Sequence, residues 1–249
     1  MNNPATHSKN QTINSEAVIK LESIAQDYGD KQVLSDVSYN FSKNKITAIL
    51  GKSGSGKTTL LQIINGMVKP TKGLVRLFGD PIHYETIHAR RLQMGYVVQH
   101  VGLFPHLTVQ KNIGVLARIA GMEKESIMPR INYLMDLVKL PAEYLTKYPH
   151  QLSGGEQQRV GLCRAMFLNP PVLLMDEPFA SLDDETKTSI YQHMLTSQKN
   201  EPRTVVLVTH NMQEALTLAD HFIWLKEGKI FEQGDKEKLR EFHSENMDL

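Results

Sequence analysis

The run Gly51-Lys52-Ser53-Gly54-Ser55-Gly56-Lys57-Thr58, continued by Thr59, constrains this chain more than any other feature. Before it, Lys45–Leu50 (KITAIL) reads as a buried strand running into glycines. After it, Leu60, Leu61, Ile63 and Ile64 recur at helical spacing through Lys57 to Asn65, and Gly66 is placed to end that helix. A glycine-rich turn between a strand and a helix, closing on Gly-Lys-Thr, has the Walker A form of a phosphate loop. Its glycines let the backbone wrap closely around phosphate oxygens with N–H groups turned inward. The helix start beneath adds roughly half a positive charge. Lys57 brings a full charge to the outer phosphates, and the Thr58 hydroxyl is a hard oxygen suited to Mg²⁺. Gly51, Lys52, Ser53, Gly54, Ser55, Gly56, Lys57, Thr58 and Thr59 are therefore expected to bind nucleotide.

The rest of the chain continues the alternation of strands and helices, which points to the α/β class. Pro171–Met175 and Thr204–Val208 are further apolar strands, each ending at polar residues. Between about Arg90 and Pro149 the texture becomes helical, with Ile113–Ala120 and Ile127–Leu140 as helices broken by Pro105, Gly121 and Pro141. After Trp224, KEGKIFEQG predicts a hairpin around Gly228, and a charged helix follows from Lys236.

Composition permits such a fold and excludes several function classes. At 249 residues, 41% hydrophobic and 22% charged, the chain can bury a sizeable core in one large domain or two lobes. A net charge of +1 gives no electrostatic footing for a nucleic-acid partner, and none is expected. Cys163 is the sole cysteine, so no internal disulfide can form; the pattern fits a reducing compartment, with Cys163 as a small buried residue. Met1–Glu16 reads as a flexible polar tail without a secretion signal, and no apolar run of about 18 residues occurs. Membrane association is therefore expected to come through a partner.

Two acids end the strand Val172-Leu-Leu-Met-Asp176-Glu177. Asp176 suits Mg²⁺, directly or through water, and Glu177 can accept a proton from an attacking water. His210 follows TVVLVT at the corresponding carboxyl end, where α/β ligand sites lie, although a lone histidine there is usually structural.

Leu152-Ser-Gly-Gly-Glu156-Gln-Gln-Arg159, placed after the helical insertion and before the acid pair, resembles the ABC signature. From about Val18 to Gly234 the chain is similar to ABC transporter ATPases. The resemblance implies a P-loop NTPase (RecA-like) core sheet, a helical lobe inserted at about 90–158 and an N-terminal antiparallel β subdomain. These would form one domain over 17–240, with a C-terminal tail over 241–249. It further implies hydrolysis of ATP to ADP and phosphate, coupled to transport, with ATP and Mg²⁺ bound.

Carried over residue by residue, Ser153, Gly154, Gly155 and Glu156 would contact the ATP held by a second subunit; Ser153 and the two glycine amides lie at a helix N-terminus, a ready anion site. One chain has one loop and one signature, so each composite site needs a second ATPase subunit, identical or closely related. Tyr28 resembles the aromatic that stacks on adenine, and Gln99, after the strand GYVV, the glutamine that reaches Mg²⁺ and the attacking water while linking the two lobes. Ser181-Leu182-Asp183 resembles the loop communicating across the dimer, and His210 the switch histidine. The implied catalytic set is Glu177, His210 and Gln99, and the implied metal set Thr58, Gln99 and Asp176.

The implied partners are an integral membrane permease and a solute-binding protein, with the chain peripheral on the cytoplasmic face of the membrane. Gln99–Val109 (QHVGLFPHLTV) is similar to the same segment in ATPases of osmoprotectant importers, which carry glycine betaine, choline or carnitine. Several of those carry a C-terminal module of CBS domains, which is not expected here because the sequence ends too soon to contain one. A polar amino acid, lipid-handling or efflux ABC system is the alternative. Translation and repair members of the family are disfavoured, since neither a second ATPase unit nor a long coiled coil is present.

Overall fold

Three five-residue strands with every residue buried organise the protein: β3 (Ile46–Leu50), β7 (Val172–Asp176) and β8 (Thr204–Val208). Their side chains alternate between two apolar clusters, as a strand covered on both faces requires. Leu173, Met175, Val205 and Leu207 enter one cluster, while Val172, Leu174, Val206 and Val208 enter the other. The computed structural model describes residues 17–99 and 102–245. The polar tail expected over 1–16 lies outside the described residues, as do His100 and Val101 of the Gln99–Val109 stretch.

The chain opens with a long antiparallel pair, β1 (Ala17–Tyr28) and β2 (Lys31–Ser42). β3 leads through the glycine loop into α1 (Lys57–Ile64). Next come β4 (Lys72–Leu77), β5 (Asp80–Pro81), α2 (Ile87–Arg91) and β6 (Met94–Val97). The helical lobe carries α3 (Val109–Ile113) and α4 (Lys124–Leu137), and α5 (Gly154–Met166) returns the chain to β7. After β7 follow α6 (Asp184–Asn200), β8, α7 (Met212–Leu218), β9 (His221–Lys226), β10 (Lys229–Asp235) and α8 (Lys236–Glu245).

Two sheets result. A four-stranded antiparallel sheet has the order β2-β1-β4-β5, and a six-stranded sheet the order β10-β9-β3-β8-β7-β6. In the larger sheet β9, β3, β8, β7 and β6 are mutually parallel, and β10 joins β9 antiparallel. Helix α1 lies between the sheets, its Leu60, Leu61, Ile63 and Ile64 sharing a cluster with Ile19, Leu34 and Val75. Residues of α3 to α8 line the cluster on the opposite face. This is the α/β core with a helical insertion and an antiparallel β subdomain.

Three boundaries differ from the sequence expectations. The helix expected over Ile113–Ala120 sits earlier, at Val109–Ile113: Thr108 accepts a bond from the Lys111 amide at 3.4 Å and starts it, and Gly114 ends it. Beyond Gly114, turns bonded from Ala117 N to Gly114 O and from Gly121 N to Arg118 O replace a continuous helix. The stretch from residue 90 does not open the helical lobe, because Met94–Val97 pairs with β7 as a strand of the core sheet. Gly95 makes that placement possible, since a side chain there would collide with the Ala165 carbonyl of α5. Finally, α8 runs to Glu245 rather than giving way to a tail after residue 240, because Phe242 is buried with its ring 5.1 Å from Trp224 and 5.9 Å from Phe222.

Leu207, fully buried at the centre of the sheet, tests this packing. Leu207→Ala is expected to destabilise the protein by about 2–5 kcal/mol, read as a lower denaturant midpoint at unchanged slope.

Candidate active site

The order β3-β8-β7-β6 sets four carboxyl-terminal loops side by side, the position where ligands bind in open α/β sheets. Gly51–Gly56 leaves β3, His210 follows β8, Asp176 and Glu177 end β7, and Gln99 follows β6. The glycine loop is shaped by its neighbours as much as by its own flexibility. Gly51 has φ 146° and its missing side chain would strike the Leu225 carbonyl of β9. Gly56, at φ 101°, would carry a Cβ 2.6 Å from Leu34 Cδ2 of β2. The loop is thus clamped between the two sheets.

Lys57 is buried, and its ammonium donates to the carbonyls of Gly51 at 2.7 Å and Lys52 at 2.9 Å, drawing the loop around itself. Burial lowers its pKa below the ordinary lysine value, while the Glu177 and Asp176 carboxylates pull it back up. Thr58 Oγ1 donates to Asp176 Oδ1 at 3.3 Å, so the first turn of α1 meets the end of β7. Burial raises the Asp176 pKa, and Glu177 adds to the rise against the Thr58 hydroxyl and Lys57. Each charge is therefore disfavoured as it stands, and each would be relieved by a ligand of opposite sign, phosphate for Lys57 and a cation for Asp176.

The donors fit the groups expected from the sequence. Among the described residues no three His, Cys, Asp or Glu side chains form a self-sufficient metal cage. One carboxylate and one hydroxyl are the hard oxygen pair that Mg²⁺ takes when phosphates and water complete its shell. For phosphate, Ser55 Oγ is buried in the loop without a hydrogen-bond partner, and the Cα of Gly54 faces open space.

Glu177 is the meeting point of the site. Its backbone takes φ 47°, a left-handed conformation that costs a non-glycine residue about 1–2 kcal/mol, while its N–H still bonds Val208 O at 2.9 Å. His210 Nδ1 lies 3.2 Å from Oε1 and Gln99 Nε2 donates to Oε2 at 3.3 Å. His210 is 64% exposed in its side chain, so it approaches from the solvent side. Lys57, Thr58, Asp176, Glu177, Gln99 and His210 are all brought together.

The other expected residues stand apart from this cluster. Tyr28 is exposed at the tip of the β1–β2 hairpin, paired with Lys31, three positions before the Leu34 that covers Gly56. Ser153 caps α5, accepting from the Glu156 amide at 3.3 Å, and Glu156 Oε2 accepts from the Ser153 amide at 2.8 Å. Gly155 presses on the 181–183 loop, where a Cβ would lie 2.9 Å from Ser181 O, whereas Gly154 faces open space. Among the described residues no hydrogen bond joins Ser153–Glu156 to the Gly51–Thr58 loop, so the two glycine-rich turns stay separate within one chain.

Some supporting residues escaped the sequence reading. Gln158, on the buried face of α5, bonds the Glu177 carbonyl and the Ser181 amide. Thr209 and Glu214, both buried, share a 2.6 Å hydrogen bond that holds the turn carrying His210. A polar residue in register with Gly161, Leu162 and Ala165 was the available sign of the first. Asn211 with Glu214 three residues on, a helix-start pattern, was the sign of the second.

Comparison with known proteins gives the family. The ABC transporter family pattern matches residues 34–180. The chain belongs to the ABC transporter family. It is 38% identical to the glycine betaine/carnitine/choline transport ATP-binding protein OpuCA of Bacillus subtilis, over 89% of this chain and 59% of that protein. It is 39% identical to the glycine betaine uptake system ATP-binding protein YehX of Escherichia coli, over 88% of this chain and 71% of that one. Thus the chain spans about three fifths of the first of these ABC relatives. Among solved ABC structures, the dimeric form of a bacterial ABC transporter cassette superposes with a TM-score of 0.83 at 31% identity, covering 88% of this chain and 98% of that one.

The ABC signature turn also carries a pH signature. Glu156 is held below its ordinary pKa of 4.5, first by the Ser153 amide, with Tyr144, the Ser153 side chain and Arg159 assisting against burial. A depressed folded-state value means that its stabilisation is complete above 4.5 and fades as pH falls through the lower folded value. Glu156→Ala is expected to cost about 0.5–1 kcal/mol near neutrality, a deficit that shrinks on acidification. Thermal denaturation of both proteins across that range measures it.

Proposed function

We propose that this chain is the ATP-hydrolysing subunit of an ABC importer, driving solute uptake through a membrane permease. The observation that carries the reading is the convergence on Glu177 of Gln99 and His210, beside Lys57, Thr58 and Asp176. The glycine loop and the Lys57 ammonium would bind the phosphates of ATP, with the Ser55 hydroxyl as a further donor. Tyr28, exposed at the tip of the β1–β2 hairpin, would stack on the base. Mg²⁺ would be held by Thr58 and Asp176, with Gln99 in reach, and when bound supplies charge neutralisation at the outer phosphates. Glu177 would accept the proton of the attacking water, with Gln99 and His210 orienting its carboxylate from two sides.

A second copy of the chain or a close relative would complete each site by presenting Ser153, Gly154, Gly155 and Glu156 to the nucleotide bound opposite. Because ATP would touch both subunits, it would favour the closed pair, and hydrolysis would remove that preference. Glu177→Gln is expected to retain ATP binding and lose turnover by about 10²–10⁴-fold. Lys57→Ala should weaken nucleotide binding itself. Titration with labelled ATP beside a phosphate-release assay separates the two, and unchanged turnover in Glu177→Gln would sink the assignment.

The membrane link would be indirect, since no helix among the described residues is long and apolar enough to cross a bilayer. A cleft of about 520 Å³ between β6 and the helical lobe, lined by Leu92, Tyr96, Phe104, Leu116 and Ile119, offers an apolar seat for a permease segment. Ile119, 69% exposed, joins the exposed Phe104 and Leu92 along that cleft, so the apolar surface there is a patch rather than a lone side chain. That cleft adjoins the segment leading from Gln99, so permease movement could reach Glu177. The permease would place the chain on the cytoplasmic face of the membrane.

The relatives named for glycine betaine, choline and carnitine transport support a quaternary amine osmoprotectant as cargo, delivered by a solute-binding protein. In a reconstituted complex, glycine betaine or choline with its binding protein should stimulate ATPase activity. Ile119→Glu should abolish that stimulation and leave the turnover of the isolated subunit within about twofold. Equal stimulation by an unrelated polar amino acid would reassign the cargo.

A further inference from the structure

Gln158 lies in the second turn of α5 and is only 2% exposed. A buried amide is costly unless its donor and acceptor are both used. Here both are used on one short segment between β7 and α6: Nε2 donates to Glu177 O at 2.9 Å, and Oε1 accepts from Ser181 N at 3.1 Å. The Glu177 carbonyl also accepts from Ala180 N at 3.3 Å, so the turn is bonded both within itself and to α5. Since Glu177 is held at φ 47°, its carboxylate direction depends on what holds its backbone in that conformation. Close by, Gly155 of the same helix presses on Ser181 O. Helix α5 therefore grips the turn between Glu177 and Ser181 at two points, through one backbone approach and one bidentate side chain.

We propose that Gln158 is a positioning residue that ties the signature helix to Glu177 and to the 181–183 loop of the same subunit. The signature end of α5 serves the nucleotide bound by the second subunit, while Glu177 serves the subunit's own. Movement of α5 on engaging the opposite nucleotide is thereby carried through a rigid amide to the backbone of the proton-accepting residue, so that each site reports its occupancy to the other. This rests on the reading of Glu177 as the proton acceptor. The two bonds have different roles: the Glu177 bond aims the carboxylate, and the Ser181 bond fixes the loop facing the second subunit.

Two variants of the full chain separate these bonds. Gln158→Met keeps the volume and loses both; Gln158→Glu keeps an acceptor for Ser181 N and loses the donor to Glu177 O. Gln158→Met is expected to lower kcat on the order of tenfold to a hundredfold with nucleotide Kd within about twofold, and to speed hydrogen exchange at the Ser181 amide. Gln158→Glu should keep Ser181 protected yet lose kcat comparably. In both, the dependence of rate on ATP concentration should become less cooperative. A kcat for Gln158→Met within about twofold of wild type, unchanged Ser181 exchange in it, or loss of nucleotide affinity in step with kcat in both variants would overturn the proposal. A wild-type chain that binds ATP without turnover would instead sink the hydrolysis reading, and the exchange measurement, which needs no turnover, would still decide whether Gln158 holds the loop.

Discussion

The pairing of β8 between β3 and β7 is the constraint on which the site depends. Each hydrogen-bonded neighbour is about 4.8 Å away, so the glycine loop, the His210 turn and the Asp176–Glu177 pair emerge within side-chain reach of one another. That pairing survives because both faces of the three strands are covered. Alternate residues feed the cluster under α1 and the antiparallel sheet, or the cluster under α5, α6 and α7. Removing either layer would expose a row of Val, Leu and Ile side chains, each worth roughly 1.5–3 kcal/mol when buried.

On this frame the site holds opposite charges that burial disfavours and that their mutual attraction offsets only in part. Burial works against the ammonium of Lys57 and the carboxylate of Asp176, while Lys57 satisfies its protons on the loop's own carbonyls. Such a site has electrostatic free energy to recover when an anion and a cation arrive together. The Glu177 backbone holds a second store of strain, with its N–H committed to β8 and its carbonyl to Gln158. Both stores sit where the two lobes meet, because Gln99 arrives from the lobe side of the sheet and His210 from the strand beside the glycine loop.

Much of this was legible in the residues. The glycine loop, the acid pair and the signature are local patterns in which residue type and spacing carry the chemistry, and the strand Thr204–Val208 was readable to the residue from its apolar run. The misplaced helix at Ile113–Ala120 shows where local reading fails: Thr108 as a cap outweighs apolar spacing, and Gly114 interrupts what the pattern would continue. The strand before Gln99 was legible as GYVV, one residue later than Met94–Val97; only its place in the core sheet was tertiary, since an edge strand gains its partner from β7, far along the chain. Phe242 likewise belongs to the fold only because Trp224 and Phe222 are there to receive it.

The sequence by itself determined the candidate inventory: a loop of phosphate-binding form, a hard-oxygen pair suited to a cation, a candidate base and a glycine-rich turn at a second helix start. These are set by residue type over a few consecutive positions, and no distant contact is needed to recognise them. Only the tertiary structure decided that Gln99 and His210 meet on the two oxygens of Glu177 and that Gln158 holds its backbone. It also decided that Ser153–Glu156 stays out of hydrogen-bonding contact with its own glycine loop. The bonds onto Glu177 join residues 19 to 78 positions apart, and they depend on strand order and helix register, which side-chain periodicity leaves open.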